Sequence, residues 1–218
     1  PMTDGRPENR GTEMRSAQAN AARGYGGSLT QRPDQTVPSP PPATGPAPTW
    51  NQPAGAPQAP LSYQAGAPGA VNRDEILRDL NAALAAEAMA AYRYLYLSKW
   101  LAGPNFGPIA QAFAETARDE WRHVERFMER IIQLGGVPIP SPEQWSAYAY
   151  DRYAPPPRQP QDIAQALRDT INAEEAAIRF YEQLANKTLG RDHVTYQLAV
   201  DILKDEIKDR ELFRAFLG

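Results

Sequence analysis

The stretch ETARDEWRHVERFMERIIQLGGVP, Glu115 to Pro138, decides the fold of this chain. With Phe113 just before it, its apolar residues step by threes and fours through Ala117, Val124, Phe127, Ile131 and Leu134. That spacing is one face of an α-helix, and the Arg, Asp and Glu residues between them mark the face turned to water. Gly135-Gly136 ends the helix. Upstream, GPNFG (Gly103 to Gly107) is a break, and Pro108 suits a first helical position. One residue violates the pattern. Glu120 sits on the apolar stripe, one heptad from both Phe113 and Phe127, and His123 follows it by three, so the two side chains share one face a turn apart.

Helices flank this one on both sides. Asn72 is an N-cap with Glu75 as its capping-box partner, opening a first helix that runs to about Ala102. A third helix fits Gln161 to about Lys187, and Gly190-Arg191-Asp192 separates it from a fourth reaching Leu217. Between the second and third lies VPIPSPEQWSAYAYDRYAPPPRQP, in which Ser141-Pro142-Glu143 caps one short helix at most. Links of about five residues force antiparallel neighbours, whereas a link of over twenty can travel the length of a helix of about 40 Å. Helices one and two, and three and four, are therefore antiparallel, while two and three run parallel. The expected fold is all-α, a four-helix bundle with one long crossover.

Residues 1–70 read differently. They hold 13 of the 22 prolines and 9 of the 15 glycines, and too few apolar residues to offset the entropy of ordering. The expectation is a disordered tail over 1–70 and one helical domain over 71–218. Within the tail, ARGYGGSLTQR (Ala22 to Arg32) has the form of a docking peptide for a protein partner, although plain tail is the stronger reading. The whole chain carries 23 Lys+Arg against 26 Asp+Glu, which gives no nucleic-acid footprint. Zero cysteines exclude a disulfide scaffold, thiolate zinc and cysteine-held iron-sulfur centres. No apolar run long enough for a membrane span (about 18 residues) occurs, and Pro1 to Arg15 lacks the layout of a secretory signal, so the expected location is the cytoplasm.

Each of the four helices interrupts its apolar stripe with a carboxylate. The first reads Ile76, Leu80, Leu84, Glu87, then Ala91 or Tyr94, Leu97 and Leu101; the third reads Leu167, Ile171, Glu174, Ile178, Tyr181; the fourth reads Ala199, Ile202, Glu206, Asp209, Phe213, Phe216. A single such glutamate is most simply a stripe-edge residue whose head reaches water. Five carboxylates at mid-helix in one dry core repel strongly unless protonated or bridged by cations, so a metal site is the economical explanation. Carboxylates with one imidazole and no thiolate suit iron or manganese. Glu206-Ile207-Lys208-Asp209 repeats the spacing of Glu120-x-x-His123, with Asp209 where symmetry would place a second histidine.

These residues resemble the ferritin-like di-iron carboxylate proteins, bacterioferritin above all. The resemblance covers about Asn72 to Phe213 and rests on LNAALAAEAMAAYRYL (Leu80 to Leu95), on Glu115 to Pro138 and on ILKDEIKDRELF (Ile202 to Phe213). Glu87 to Glu120 and Glu174 to Glu206 are separated by 33 and 32 residues, a near-duplicate spacing that the family shows too. The resemblance implies two iron ions held by Glu87, Glu120, His123, Glu174 and Glu206, with Glu120 and Glu206 bridging, Asp209 in the place of the family's second histidine, and Tyr94 close to the metals. It also implies that Asp205 holds the far nitrogen of His123, and that Asp119, its symmetry mate, faces Asp209. Trp121 stands where bacterioferritin has its haem-binding methionine, so no haem is expected. The sequence ends at Gly218 without the fifth helix that helps bacterioferritin close its shell, which argues against the same shell here.

The function implied is oxidation of ferrous iron by dioxygen or peroxide, for storage or detoxification, in a protein that self-associates. Tyr94, one heptad after Glu87, is placed to donate an electron or to hydrogen-bond a ligand; equally, it and Tyr181 are core aromatics whose hydroxyls meet carboxylates. Two other readings stand beside this one. One is a peroxide-removing centre like those of rubrerythrin or manganese catalase, with manganese as the metal. The other is a degenerate scaffold in which Asp209 marks a lost site.

Overall fold

The computed structural model describes residues 71–218; the expected tail lies outside the described residues. Four long helices dominate: α1 (Arg73–Trp100), α2 (Phe106–Gln133), α4 (Ile163–Thr188) and α5 (His193–Leu217). A 3-10 turn (Pro142–Gln144) leads into the short α3 (Trp145–Tyr148) within the crossover. There is no strand among the described residues.

Local chemistry sets the ends. Asn72 Oδ1 accepts from the backbone N–H groups of Asp74 (3.0 Å) and Glu75 (3.3 Å), which caps α1. The Glu75 carboxylate does not complete the expected capping box but pairs with Lys187 Nζ at 2.8 Å, which the Asp79 carboxylate shares. A lysine on a neighbouring helix outbids the local N–H because it brings a full charge. Helix α2 begins two residues before Pro108, since Asn105 adopts a left-handed conformation (φ 61°) and turns the chain by itself. It ends as expected: Gly135 has φ 68°, and a Cβ on Gly136 would run into the side chains of Leu77 and Ile131, so neither position favours a side chain. At the other ends the differences from the sequence reading are one or two residues, within ordinary fraying.

The core lies in two blocks with the polar positions between them. One block takes Ile76 to Ala88 of α1, Val124 to Leu134 at the end of α2, Ala177 to Ala185 of α4 and Leu198 to Ile202 of α5. The other takes Tyr94 to Leu101, Phe106 to Ala117, Ala166 to Ile171 and Phe213. Helices α1 and α5 therefore pass from the first block to the second, while α2 and α4 pass from the second to the first. That is the antiparallel, parallel, antiparallel order that the connection lengths require.

The crossover is fastened along α1. Asn81 Oδ1 accepts from Ile139 N at 2.9 Å, Arg93 Nε donates to Ala154 O at 2.8 Å, Trp100 Nε1 donates to Pro157 O at 3.2 Å, and Ala102 N donates to Pro160 O at 2.8 Å. From Asn81 to Ala102 the helix rises about 30 Å, so the link returns the chain over most of the bundle's length. At the first block's end, Arg130 reaches across from α2. Its Nη2 donates to both Asp192 oxygens (2.8 and 2.9 Å) and its Nε to Thr195 Oγ1 (2.8 Å), locking α2 to the start of α5.

Candidate metal centre

Between the two apolar blocks each long helix turns its charged stripe position inward. Glu87, Glu120, His123 and Glu206 are buried, and each offers a ligand atom within 4.8 Å of every other. His123 Nδ1 lies 3.0 Å from Glu120 Oε2 and 3.4 Å from both Glu87 Oε2 and Glu206 Oε1. Its Nε2 faces outward to Asp205 Oδ2 at 3.3 Å. That arrangement holds the ring so that Nδ1 points into the cluster, as a carboxylate does for a metal-bound imidazole.

Glu174 and Asp209 fall outside this tightest group. Glu174 is buried and accepts from Tyr94 Oη at 2.5 Å, and its carboxyl meets that of Glu206. Its neighbour Glu175 instead faces out, bound to Arg214 Nη2 at 2.6 Å. Asp209 is 4% exposed and has Lys208 Nζ at 3.9 Å. It feels the charges of Asp119, Asp205 and His123, and Arg122 pairs with Asp119 across one turn of α2.

The two tyrosines exchange partners. Tyr94 follows Glu87 by a heptad on α1 but donates to Glu174 of α4; Tyr181 follows Glu174 by a heptad on α4 but donates to Glu87 of α1. Both hydroxyls are pushed well above their usual range, by burial first and then by the carboxylate charge. They are donors locked onto acceptors.

The titration pattern divides the carboxylates by helix. Burial, followed by the charges of neighbouring carboxylates, pushes Glu120 and Glu206 well up, toward the protonated form. Burial likewise raises Glu174 to about 7. Glu87 is depressed: burial opposes this, but hydrogen bonds from Glu120, His123 and Tyr181 outweigh it. Burial pulls His123 down, yet Glu87 and Asp205 hold it above the ordinary imidazole value. Asp209 is raised to about 6, by burial and by Asp119 and Asp205, with Lys208 acting the other way. One further observation fits a cation: Glu206 Oε1 is buried and accepts no hydrogen bond. An orphaned carboxylate oxygen in a set of oxygens and one imidazole suits a hard or borderline metal such as iron.

Two residues escaped the sequence reading. Tyr150 comes from the crossover, stacks on Phe180 (centroids 4.2 Å apart) and lies edge-on to Tyr181 (6.1 Å), close enough to feel Glu87 and Glu206. Arg93 is buried beside Tyr94, its Cζ 5.8 Å from that ring's centroid. Tyr150 had no periodicity to flag it, and Arg93 looks in sequence like any helix arginine able to reach water.

Fold and site together define a ferritin-like helical bundle with an acidic, histidine-bearing centre. The chain belongs to the ferritin family: residues 77–218 match the ferritin-like domain. It is 29% identical over 147 residues to a DNA protection during starvation protein of Pyrococcus furiosus, covering 67% of this chain and 79% of that one. It is 28% identical over 140 residues to a bacterioferritin of Desulfovibrio desulfuricans, covering 53% and 78%. Among solved structures, a dodecameric thioferritin, the bacterioferritin-related protein of Bacteroides fragilis, superposes with a TM-score of 0.65 at 29% identity, covering 68% of this chain and 88% of that one. Dps from Staphylococcus aureus, at 18% identity, shares the fold with a TM-score of 0.63 over 68% of this chain and 99% of its own.

Proposed function

We propose that this protein binds two ferrous ions per chain at the buried centre and oxidises them with dioxygen or peroxide, for iron storage or detoxification. The observation that carries the reading is the convergence of Glu87, Glu120, His123 and Glu206 from three helices, with Glu174 joined to them from the fourth. Iron, the substrate, supplies the redox chemistry itself. The chain's residues supply charge, geometry and dryness. Glu120 and Glu206, driven toward the neutral form in the empty site, release protons as cations enter, so that their buried charge develops only where a cation pairs it. Tyr94 and Tyr181 hold Glu174 and Glu87 in place, and Asp205 fixes the His123 ring. Tyr94 is also placed to pass an electron to the centre. Asp209, as a sixth ligand, would make the second position all-oxygen and so favour the oxidised ion there.

Self-association belongs to the same reading. Tyr92, Leu95, Tyr96 and Trp100 form an exposed stripe on α1, and the Bacteroides fragilis relative is dodecameric. The test is anaerobic titration with ferrous iron followed by dioxygen or peroxide. Two irons per chain taken up and oxidised in a fast phase is the expected result. Manganese binding with oxygen release from peroxide would support the catalase-like alternative, and no uptake of either metal would leave only a scaffold.

A further inference from the structure

A cavity of about 210 Å³ lies between α1 and α4 beneath crossover residues 150–154, and its inner lining is the centre itself, Glu87, Glu120, Glu174 and Glu206. Its Arg93 side has no role in the oxidation proposed above. Arg93 projects into its lining and is 3% exposed. Its guanidinium meets neutral partners: Nε donates to Ala154 O (2.8 Å) and Nη1 to Thr170 Oγ1 (2.8 Å). Its Nη2 is buried and has no partner at all. A buried cation without a counter-ion, with both N–H groups of Nη2 left over, is costly unless something else completes it.

We propose that this cavity binds a small oxoanion, of the size of phosphate or carbonate, with Arg93 Nη2 as its buried donor, when metal occupies the adjacent carboxylates. The reading rests on the metal site proposed above. A planar guanidinium with a free edge prefers an oxygen anion, and the volume has room for one of the size of phosphate or carbonate. The condition on metal follows from charge. Four glutamates of the proposed metal centre, Glu87, Glu120, Glu174 and Glu206, line it together with Asp151 and Asp169, against two arginines, Arg93 and Arg152, so an empty centre repels an anion. Cations at the centre cancel the inner charges, and the Arg93 field then dominates. By linkage the anion must tighten metal binding by the factor by which the metal tightens the anion.

The test uses the full chain stripped of metal and titrated with cobalt(II), which neither dioxygen nor the site oxidises readily, followed by visible absorption and repeated with phosphate and with bicarbonate. One of the two anions should raise cobalt affinity on the order of tenfold and shift the cobalt spectrum. The response identifies which oxoanion the cavity takes. Arg93→Gln should bind cobalt but lose the response; Ala90→Leu, which narrows the cavity without touching Arg93, should lose it too, and guards against a folding defect in the first variant. Cobalt binding that ignores both anions, or an equal response in Arg93→Gln, overturns the proposal. No cobalt binding at all overturns the metal reading and the proposal with it.

Discussion

Replacing Asp209 by asparagine should stabilise the metal-free protein and destabilise the metal-loaded one. Asp209 is 4% exposed, faces Asp119 and Asp205, and is raised from 3.8 to about 6. A carboxyl raised on folding binds more protons in the native state than in the unfolded one. Stability therefore falls as pH climbs from about 4 to about 6, and the full penalty stands above that window. A hundredfold change in proton affinity corresponds to about 3 kcal/mol. Asparagine keeps the shape and removes the charge, while the attractions that it gives up, to Lys208 (largely exposed, at 3.9 Å) and to His123, are already included in the value of about 6. The chelator-treated variant should thus melt roughly 6 to 12 °C higher than the parent at pH 8. By pH 5 the gain should shrink to about half, because Asp209 is then mostly protonated in the native state. With cobalt or ferrous iron present the order should reverse, since the native state loses an anionic ligand and with it part of the binding free energy. Scanning calorimetry at fixed protein concentration, with and without metal, reads all three. An unchanged melting temperature at pH 8 would mean that Asp209 is solvated and takes no part in the centre.

Glu120→Ala should abolish uptake of both metals while far-UV circular dichroism stays helical, whereas Asp209→Ala should lower the stoichiometry by no more than one ion; calorimetric titration with cobalt separates them, and equal loss from both would contradict the bridging role given to Glu120. Deletion of residues 1–70 should leave melting temperature and iron oxidation unchanged, provided that the cut spares Val71, which packs into the first core block; a melting temperature lower by more than a few degrees would make the tail part of the fold.

Helical periodicity carried most of the fold because it fixes which side chains look inward before any partner is known. Glu87, Glu120, Glu174 and Glu206 were legible as inward residues for that reason, and so was the choice of Glu174 over Glu175. Connection lengths were enough for topology, since only the crossover can span the bundle. What stayed hidden depends on contacts between segments far apart in sequence. Glu75 chooses Lys187 over its own helix, which no local capping rule anticipates. Arg93 is buried only because the crossover lays Ala154 against it and α4 brings Thr170. Tyr150 belongs to a segment without periodicity whose course is set by those same hydrogen bonds.

The centre is nearly symmetric, and its chemistry follows from where the symmetry fails. Glu87 with Tyr94 on α1 matches Glu174 with Tyr181 on α4, and the swapped hydroxyl bonds give each outer glutamate one fixed donor. Glu120 on α2 matches Glu206 on α5, and both are driven to hold protons by burial and by the charges of neighbouring carboxylates, Glu87 and Glu174 among them. The match ends at His123 and Asp209. On one side an imidazole held by Asp205 is fixed close to the three glutamates; on the other a carboxylate feels the charges of Asp119 and Asp205, with a surface lysine and His123 acting the other way. A layer with this much unpaired carboxylate opposes folding on its own, so the two apolar blocks on either side must hold the bundle closed when it is empty. Metal entry relieves that repulsion most at the position with the fewest compensating donors. The second position is therefore the weaker element of the empty protein and the one whose stability depends most on a bound cation.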